Sequence, residues 1–449
     1  MMNNCANKIM EKIPFEEIPH FVQIETSYNC NAHCSFCYNP NRNNPPNYKK
    51  LRKIVHQVTK SHIPHVQLTG GEVSLLPSKF LNEIINELSK NSNVSIQTNG
   101  IIYIKDLTPA LASIYISLHG TKKYHDKLQQ ICQWEQITKN IKKYISNGFE
   151  VNLDFTLTSI NYNNFEEIAF LANEWGIYQY SINKFEPAGL GVANFTDLVP
   201  SKDHFKKIID QIIRLQDKTK LHIGFCTAVP FCLDARLPEY GLLANCGAGV
   251  SLLVISPDGE VRICNQSDTS YGNILKHNLI EIWKDKNLDE FRNKSWVIVP
   301  CKDCFLFNKC LGGCKVDNSQ KGKYCIDYAV RNYKKIPITK VQWQKRLQMF
   351  MTKQKDKDHK TRIKAKDIIC PDKFTKLNLT HKNKLLITRH QTISIDLQSV
   401  LLLKEVLNGK HTFQEILRYA KDKSLSTVGT KNMLIKLLGA RAITLRSNE

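Results

Sequence analysis

No apolar run in this sequence approaches the roughly 20 residues that a bilayer-spanning helix needs. The opening stretch MMNNCANKIMEKIPFEEIPH has no apolar core ahead of a cleavage site. A cytoplasmic protein without a membrane partner is therefore expected. Acidic residues are scarce: 41 Asp and Glu face 63 Lys and Arg, a formal net charge of +22. That excess is more than solubility requires. Nucleic acid, an anionic membrane face and an acidic polypeptide all stay open as its cause, as does lysine usage on solvated faces with no partner. The densest basic run, KQKDKDHKTRIKAK from Lys353 to Lys366, lacks aromatics and has little apolar material. It reads as an interdomain linker ahead of a nucleic-acid stripe.

Cysteine, in contrast, is plentiful. Fifteen in a chain read as intracellular point to metal or redox chemistry rather than structural disulfides. The 449 residues, 42% of them hydrophobic, can bury a sizeable core and leave room for two or three domains. Cys30, Cys34 and Cys37 stand in CNAHCSFCY at C-x3-C-x2-C. Three thiolates leave one iron of a cubane cluster without a protein ligand, and an open iron binds and activates a substrate where a four-ligand cluster only carries electrons. Zinc is the competing reading, but zinc sites favour paired C-x2-C blocks and four closed ligands.

With Phe36 and Tyr38 beside its last cysteine, the triplet resembles the signature of the radical S-adenosylmethionine (radical SAM) enzymes. The resemblance implies a [4Fe-4S] cluster whose open iron is chelated by the amino and carboxylate groups of S-adenosylmethionine. It implies a 5′-deoxyadenosyl radical that abstracts hydrogen from substrate, and a flavodoxin- or ferredoxin-type electron donor. The stretch HVQLTGGEVSLLP agrees. It reads as a buried strand, His65 to Thr69, then Gly70-Gly71-Glu72, then a helix from about Ser78 to Lys90. Two glycines at the carboxyl end of a strand allow close backbone approach to a ligand. By resemblance, Gly70, Gly71 and Glu72 hold the methionyl amino group.

Strand and helix signals then alternate, the pattern of a parallel sheet with crossover helices. Candidate strands are Val22 to Glu25, Val94 to Thr98, Ile114 to Leu118, Glu150 to Leu157 and Tyr178 to Phe185, with helices such as Glu135 to Ser146 and Asn163 to Trp175. Together with the strand before Gly70 they make about six βα units. An α/β fold with a partial (β/α)6 barrel is expected, its cofactor at the carboxyl ends of the strands. Tyr38, Thr98, Asn99, Ser117 and Asn152 become cofactor candidates there, Ser117 by its likeness in location to a ribose-contacting position. Each reads equally well as a helix cap or turn residue. His119 reads as a turn histidine before a proton carrier.

A second array begins at Cys246. The spacing runs C-x12-G-x4-C to Cys264 through Gly259, then Cys301, Cys304, Cys310 and Cys314 at C-x2-C-x5-C-x3-C, then Cys325. Gly259 closes a Pro257-Asp258-Gly259 turn between short strands, Leu252 to Ile255 and Glu260 to Cys264. This resembles the SPASM domain, the auxiliary-cluster module of radical SAM enzymes that modify peptides and proteins. The resemblance implies two further [4Fe-4S] clusters, three in all. Cys246, Cys264 and Cys314 would hold the inner one; Cys301, Cys304, Cys310 and Cys325 the outer. The inner cluster would take Cys232 as fourth ligand, with Cys226 as alternative, or keep an open iron. A zinc ribbon is the competing reading of C-x2-C. Cys5, Cys132 and Cys370 fall outside every pattern and read as ordinary thiols. Such clusters accept the electron that a substrate radical must lose, which suits thioether or carbon–carbon crosslinking, and epimerisation too. In sulfatase-maturing relatives an aspartate follows the second SPASM cysteine; here that place is Asn265, and an amide is a poor base.

The tail from about Ile368 reads as strands Phe374 to Leu379, Lys384 to Thr388 and Thr392 to Asp396, then helices at Ser399 to Leu407, after a Thr412 and Glu415 capping box, and near Val428 to Leu438. A closing strand, Ala442 to Arg446, completes a small winged helix. Its LNGKHTFQEILRYA resembles the PqqD-like RiPP recognition element, which takes a leader peptide as an added strand. Lys382, Lys384 and Arg389 would then meet acidic leader residues. A DNA-reading winged helix with Lys431 and Lys436 on its recognition helix is the alternative. The expected layout is an extension (1–20), a radical SAM partial barrel (21–225), a SPASM domain (226–345), a basic linker (346–366) and the PqqD-like domain (367–449). The expected function is radical modification of a ribosomally made precursor peptide, ahead of a sulfatase-activating maturase or a nucleic-acid-modifying enzyme.

Overall fold

The computed structural model describes residues 15–39, 41–315, 327–330, 337–360, 363–379 and 384–446, so Cys5, Cys325 and Lys382 lie outside the described residues. The chain divides into two compact units, Met1–Leu347 and Gln348–Glu449. Among the described residues no helix is long and apolar enough to cross a membrane.

The first unit is built on β1 (Phe21–Glu25), β2 (His65–Thr69), β3 (Asn93–Thr98), β4 (Ser113–Ser117), β5 (Val151–Leu157), β6 (Gln179–Lys184), β7 (His222–Phe225), β8 (Leu252–Ile255) and β9 (Val261–Arg262). They form one sheet in the order β7-β6-β5-β4-β3-β2-β1-β8-β9. Every pairing from β7 to β8 is parallel, and β9 returns antiparallel to β8. Six strands were expected in the barrel. A seventh, β7, follows the helix Lys202–Gln216, its four residues interrupted by Gly224 and too short for a clear periodic signal. The hairpin around Gly259 also does more than pair with itself: β8 lies parallel to β1 and covers an edge that would otherwise expose unpaired backbone.

Strand alternation divides the sheet into two unlike faces. Val22, Ile24, Val66, Leu68, Ile96, Ile114, Ile116, Leu153, Phe155 and Ile182 form a fully buried apolar layer with the amphipathic helices. The helix Tyr48–Lys60 contributes Leu51, Ile54, Val55 and Val58 to it, at helical spacing. The alternate positions are Gln23, Glu25, Gln67, Thr69, Gln97, Ser117, Asn152, Asp154, Ser181 and Asn183. Barrel interiors are ordinarily filled with Val, Ile and Leu. An interior of amides, hydroxyls and two carboxylates is suited to a polar ligand. Tyr115 on β4 and Cys226 just beyond β7 lie within electrostatic range although two strands separate theirs, so the sheet curls around this face.

The second unit holds two small sheets rather than one sheet and a wing. β10 (Ile368–Pro371), β11 (Lys376–Asn378), β12 (Lys384–Ile387), β13 (Thr392–Ile395), β14 (His411–Thr412) and β15 (Ile443–Arg446) pair as β14-β10-β15 and β11-β12-β13. The closing strand was expected as part of a wing; it pairs instead with β10, an IICP strand not foreseen. Helices Leu397–Leu407, Phe413–Asp422 and Thr427–Gly439 pack around Ile369, Leu386, Leu403, Val406, Ile416 and Leu434. The capping box is present, Thr412 Oγ1 accepting from Glu415 N and Glu415 Oε2 from Thr412 N. Much of the expected linker is helical, within Lys340–Lys360.

Phe155 is fully buried, with edge-on contacts to Phe165 at 5.1 Å and Tyr180 at 6.2 Å between ring centroids. Phe155→Ala is expected to cost about 3–5 kcal/mol of stability, read from the chemical denaturation midpoint of the first unit's transition.

Candidate iron-sulfur and nucleotide site

The Cys30–Cys37 loop leaves β1 at its carboxyl end. Its thiols lie within electrostatic range of one another, and burial raises all three above their ordinary value. Arg42 donates to the carbonyls of Ala32 and Cys34, the latter at 3.1 Å, and sets a cation beside the trio. The loop's approach is fixed by the exit of β2. Gly71 N donates to Ser27 O and Glu72 N to Asn29 O, both at 2.7 Å. A Cβ on Gly71 would come within 2.0 Å of Asn29 O, and one on Gly70, whose φ is +121°, within 2.4 Å of Ser27 O. The two glycines are thus required by the backbone leading into Cys30, a reason the sequence does not display.

Glu72 is buried and firmly held: it accepts from Thr98 Oγ1 at 2.5 Å, Asn99 N at 2.7 Å and Ser74 N at 2.9 Å. Asn99 Nδ2 in turn donates to Asn31 Oδ1 at 2.7 Å, tying the end of β3 to the cysteine loop. The Tyr38 hydroxyl lies 3.5 Å from Gly70 O and faces Glu25. Glu72, Thr98, Asn99 and Tyr38 are therefore gathered around one loop.

On the polar sheet face, Ser117 stands in register with Asp154 and accepts from Gln97 Nε2 at 3.3 Å. Asn152 has no exposed surface, and among the described residues neither of its amide atoms has a hydrogen-bond partner. Asp154 was missed from the sequence, although it is the one charged residue in VNLDFTL. Burial pushes its carboxyl up to about 7, against hydrogen bonds from Gln97 and Asn183. His119 is a packing residue: burial holds it well below its ordinary value, Nδ1 accepts from Thr156 N at 3.1 Å, and Phe36 meets its ring edge-on.

The SPASM cysteines separate into two groups. Cys246, Cys264 and Cys314 share electrostatic contact with one another and with Lys315. Lys315 is fully buried; among the described residues its Nζ has no hydrogen-bond partner, and the Phe291 ring covers it at 4.1 Å. A buried ammonium is costly unless an anion faces it. A thiolate-ligated cluster on these three sulfurs is such an anion, so the residues fit one. The second group is Cys232, Cys301, Cys304 and Cys310, which line a small cavity with Leu306, Phe307 and Val330. Cys232 was expected with the inner group. It joins the outer one because Phe231 N donates to Cys310 Sγ at 3.3 Å and the Phe231 ring stacks on Trp343 at 5.6 Å. Cys226 joins neither: its thiol faces Asp154. Among the described residues no three His, Cys, Asp or Glu side chains stand close enough to chelate a single ion; a cubane seats its cysteines on separate irons.

Gly71→Ala is expected to displace the cysteine loop, so that anaerobically reconstituted protein takes up one cluster's worth of iron less while the SPASM iron stays, measured as iron per chain.

Residues 24–172 match the Radical SAM superfamily, and residues 246–305 match SPASM, an iron-sulfur cluster-binding domain. The chain is similar to the mycofactocin maturase MftC of Mycobacterium tuberculosis, 24% identical over 307 residues, 65% of this chain and 76% of that protein. It is similar to AlbA of Bacillus subtilis, an antilisterial bacteriocin subtilosin biosynthesis protein, 25% identical over 331 residues, 68% of this chain and 69% of that one. In fold it resembles Streptococcus suis SuiB, solved bound to precursor peptide SuiA, with a TM-score of 0.59 at 18% identity, over 71% of this chain and 77% of SuiB. Cysteine spacing, the double-glycine strand exit and both family matches agree: the chain carries a radical SAM domain followed by a SPASM iron-sulfur domain.

Proposed function

We propose that this protein is a radical SAM/SPASM enzyme that modifies a ribosomally synthesised precursor peptide, most simply by a thioether or carbon–carbon crosslink. The observation that carries the reading is the three-thiol loop held against the exits of β1, β2 and β3, beside a polar sheet face. The named relatives, a mycofactocin maturase and a bacteriocin biosynthesis protein, support the peptide class. Asn265 weighs against formylglycine chemistry, because an amide whose Oδ1 accepts from the Cys264 thiol at 3.4 Å is no base.

Bound at the loop, a [4Fe-4S] cluster with S-adenosylmethionine supplies a 5′-deoxyadenosyl radical. Cys30, Cys34 and Cys37 hold the cluster. The Gly70 and Gly71 backbone and Glu72 take the methionyl amine, Glu72 with lone pairs to spare beyond its present donors. Ser117 and Asp154, side by side, accept from the ribose hydroxyls, as an acidic residue does in other nucleotide sites. Asn152 offers the nucleoside a donor and an acceptor that are unused among the described residues. The SPASM thiols hold two auxiliary clusters, and a flavodoxin- or ferredoxin-type protein supplies electrons.

In the second unit the leader peptide adds as a strand to the β11-β12-β13 sheet, in the manner of PqqD-like domains. Among the described residues β13 pairs only with β12, which leaves an edge. Recognition there rests on backbone pairing. Arg389 is occupied by Asp372 at 3.2 Å and the Phe374 ring at 4.2 Å, and Lys384 Nζ donates to Leu379 O at 3.0 Å.

Reconstituted protein should bind about twelve irons per chain, three cubanes' worth. Cys34→Ala should abolish 5′-deoxyadenosine formation, and deletion of residues 348–449 should abolish leader-peptide affinity while 5′-deoxyadenosine formation persists. Survival of nucleotide cleavage in Cys34→Ala would overturn the radical mechanism; loss of RNA binding in place of peptide binding on deletion would overturn the substrate class.

Affinity for S-adenosylmethionine should rise with pH through about 7, since only ionised Asp154 accepts from both hydroxyls. Asp154→Asn should flatten that profile and weaken binding roughly tenfold or more, as expected for loss of charge-assisted hydrogen bonds, read by equilibrium dialysis across the pH series.

A further inference from the structure

The inner SPASM group has three cysteines, and no other cysteine lies between Cys246 and Cys264 in the sequence. Cys232 belongs to the outer cavity and Cys226 faces Asp154. Among the described residues, a cubane on Cys246, Cys264 and Cys314 therefore has one iron without a thiolate.

Glu186 stands at this place. It lies two residues past β6 in Phe185-Glu186-Pro187, is 6% exposed, and is within electrostatic range of both Cys264 and Cys314. Its carboxylate is braced from behind. Lys184 Nζ is 2.5 Å from Glu186 Oε1 and 3.1 Å from Asp327 Oδ2, and Asp327 Oδ2 accepts from Cys314 N at 2.9 Å. The Tyr328 hydroxyl donates to Phe185 O at 2.9 Å, so the backbone before Glu186 is tied to the same segment as the side chain. Lys184, fully buried, shares one positive charge between two carboxylates. Lys315 and Arg262 also lie within electrostatic range of these sulfurs, yet two carboxylates and three thiols still share one buried place, where like charges repel strongly. An iron held between the Glu186 carboxylate and the sulfurs would relieve that repulsion.

We propose that the Glu186 carboxylate is the fourth protein ligand of the inner auxiliary cluster, an oxygen donor where its companions are sulfur. Lys184 then serves as the outer partner that orients a ligating carboxylate. A carboxylate is a harder and weaker donor to iron than a thiolate. The iron it holds would be the exchangeable corner of the cluster.

The inference rests on reading the inner group as a cluster site, and the test separates the two. In full-length, anaerobically reconstituted protein carrying Cys30→Ala, Cys34→Ala and Cys37→Ala and reduced with dithionite to the paramagnetic [4Fe-4S]+ state, only auxiliary clusters give electron paramagnetic resonance signals. Absence of any such signal would sink the cluster reading itself. With signals present, Glu186→Cys should keep the iron, change the g-values and move one midpoint potential to a more negative value, because a thiolate donates more strongly to iron. Glu186→Ala should make one signal responsive to added 2-mercaptoethanol, to which the Glu186 protein does not respond. Should Glu186→Ala lose its iron, Glu186→Cys retaining it while Glu186→Gln does not supports ligation. Retention in Glu186→Gln would show a mere partner of Lys184 and overturn the proposal, as would spectra and potentials that ignore every substitution at 186.

Discussion

The whole first unit depends on one close backbone approach, that of the β2 exit against the chain entering the cysteine loop. Gly71 N and Glu72 N bond to Ser27 O and Asn29 O with no room for a side chain between the two backbones. A three-thiol loop on its own is a flexible coil whose sulfurs repel once ionised, so ordering it carries an entropic and an electrostatic cost. Both are met by the strand ends. β1 feeds the loop, β2 presses against its entry, and the Glu72–Asn99–Asn31 chain of bonds pulls it toward β3. A second approach seals the far side: Leu190 N donates to Cys37 O at 2.9 Å, and a Cβ on Gly189, with φ at +52°, would come within 2.1 Å of Tyr38 O.

The two sheet faces divide the labour between stability and chemistry. The outward face is the continuous aliphatic layer that holds the fold, and its burial is the dominant favourable term. The inward face gives up such packing. It keeps Asn152 without a partner among the described residues and Asp154 buried with its carboxyl pushed up to about 7, arrangements that cost stability unless a ligand satisfies them. Such concentrations of unsatisfied polar groups are characteristic of sites that await a polar molecule.

Both cysteine patterns and the double glycine were legible because their chemistry depends on spacing along the chain, which sequence displays directly. The six strands were legible for the same reason: an aliphatic residue at every second position marks the face toward the helices. What stayed hidden depends on distances between segments far apart in sequence. Nothing near Cys232 announces the outer group; its place comes from Phe231 stacking on Trp343, over a hundred residues on. Asp154 was concealed inside a strand whose alternation reads as ordinary pairing until Ser117 is seen beside it. β7 and β10 are each only four residues long, and strands this short are supported by their neighbours more than by their own propensity.

The same dependence on distant pairs joins the two metal-binding regions. Glu25, at the end of β1, accepts from the Tyr28 hydroxyl at 3.0 Å and pairs with Arg262, whose other contacts are the carbonyls of Asn265 at 3.3 Å and Ser267 at 3.1 Å, just past Cys264. Burial pushes the Glu25 carboxyl up, while Arg262, Tyr28 and Tyr38 pull it back. A buried pair of this kind adds little net stability, since desolvation consumes most of the attraction, but separating the partners leaves an uncompensated buried charge. β8 is held to β1 by its backbone, and the loop after β9 is held to the end of β1 by this pair. The SPASM cysteines are thereby positioned on the same strand that delivers the first cluster loop, so the separation between the first and inner sulfur groups is set by packing within one sheet and not by a hinge between domains.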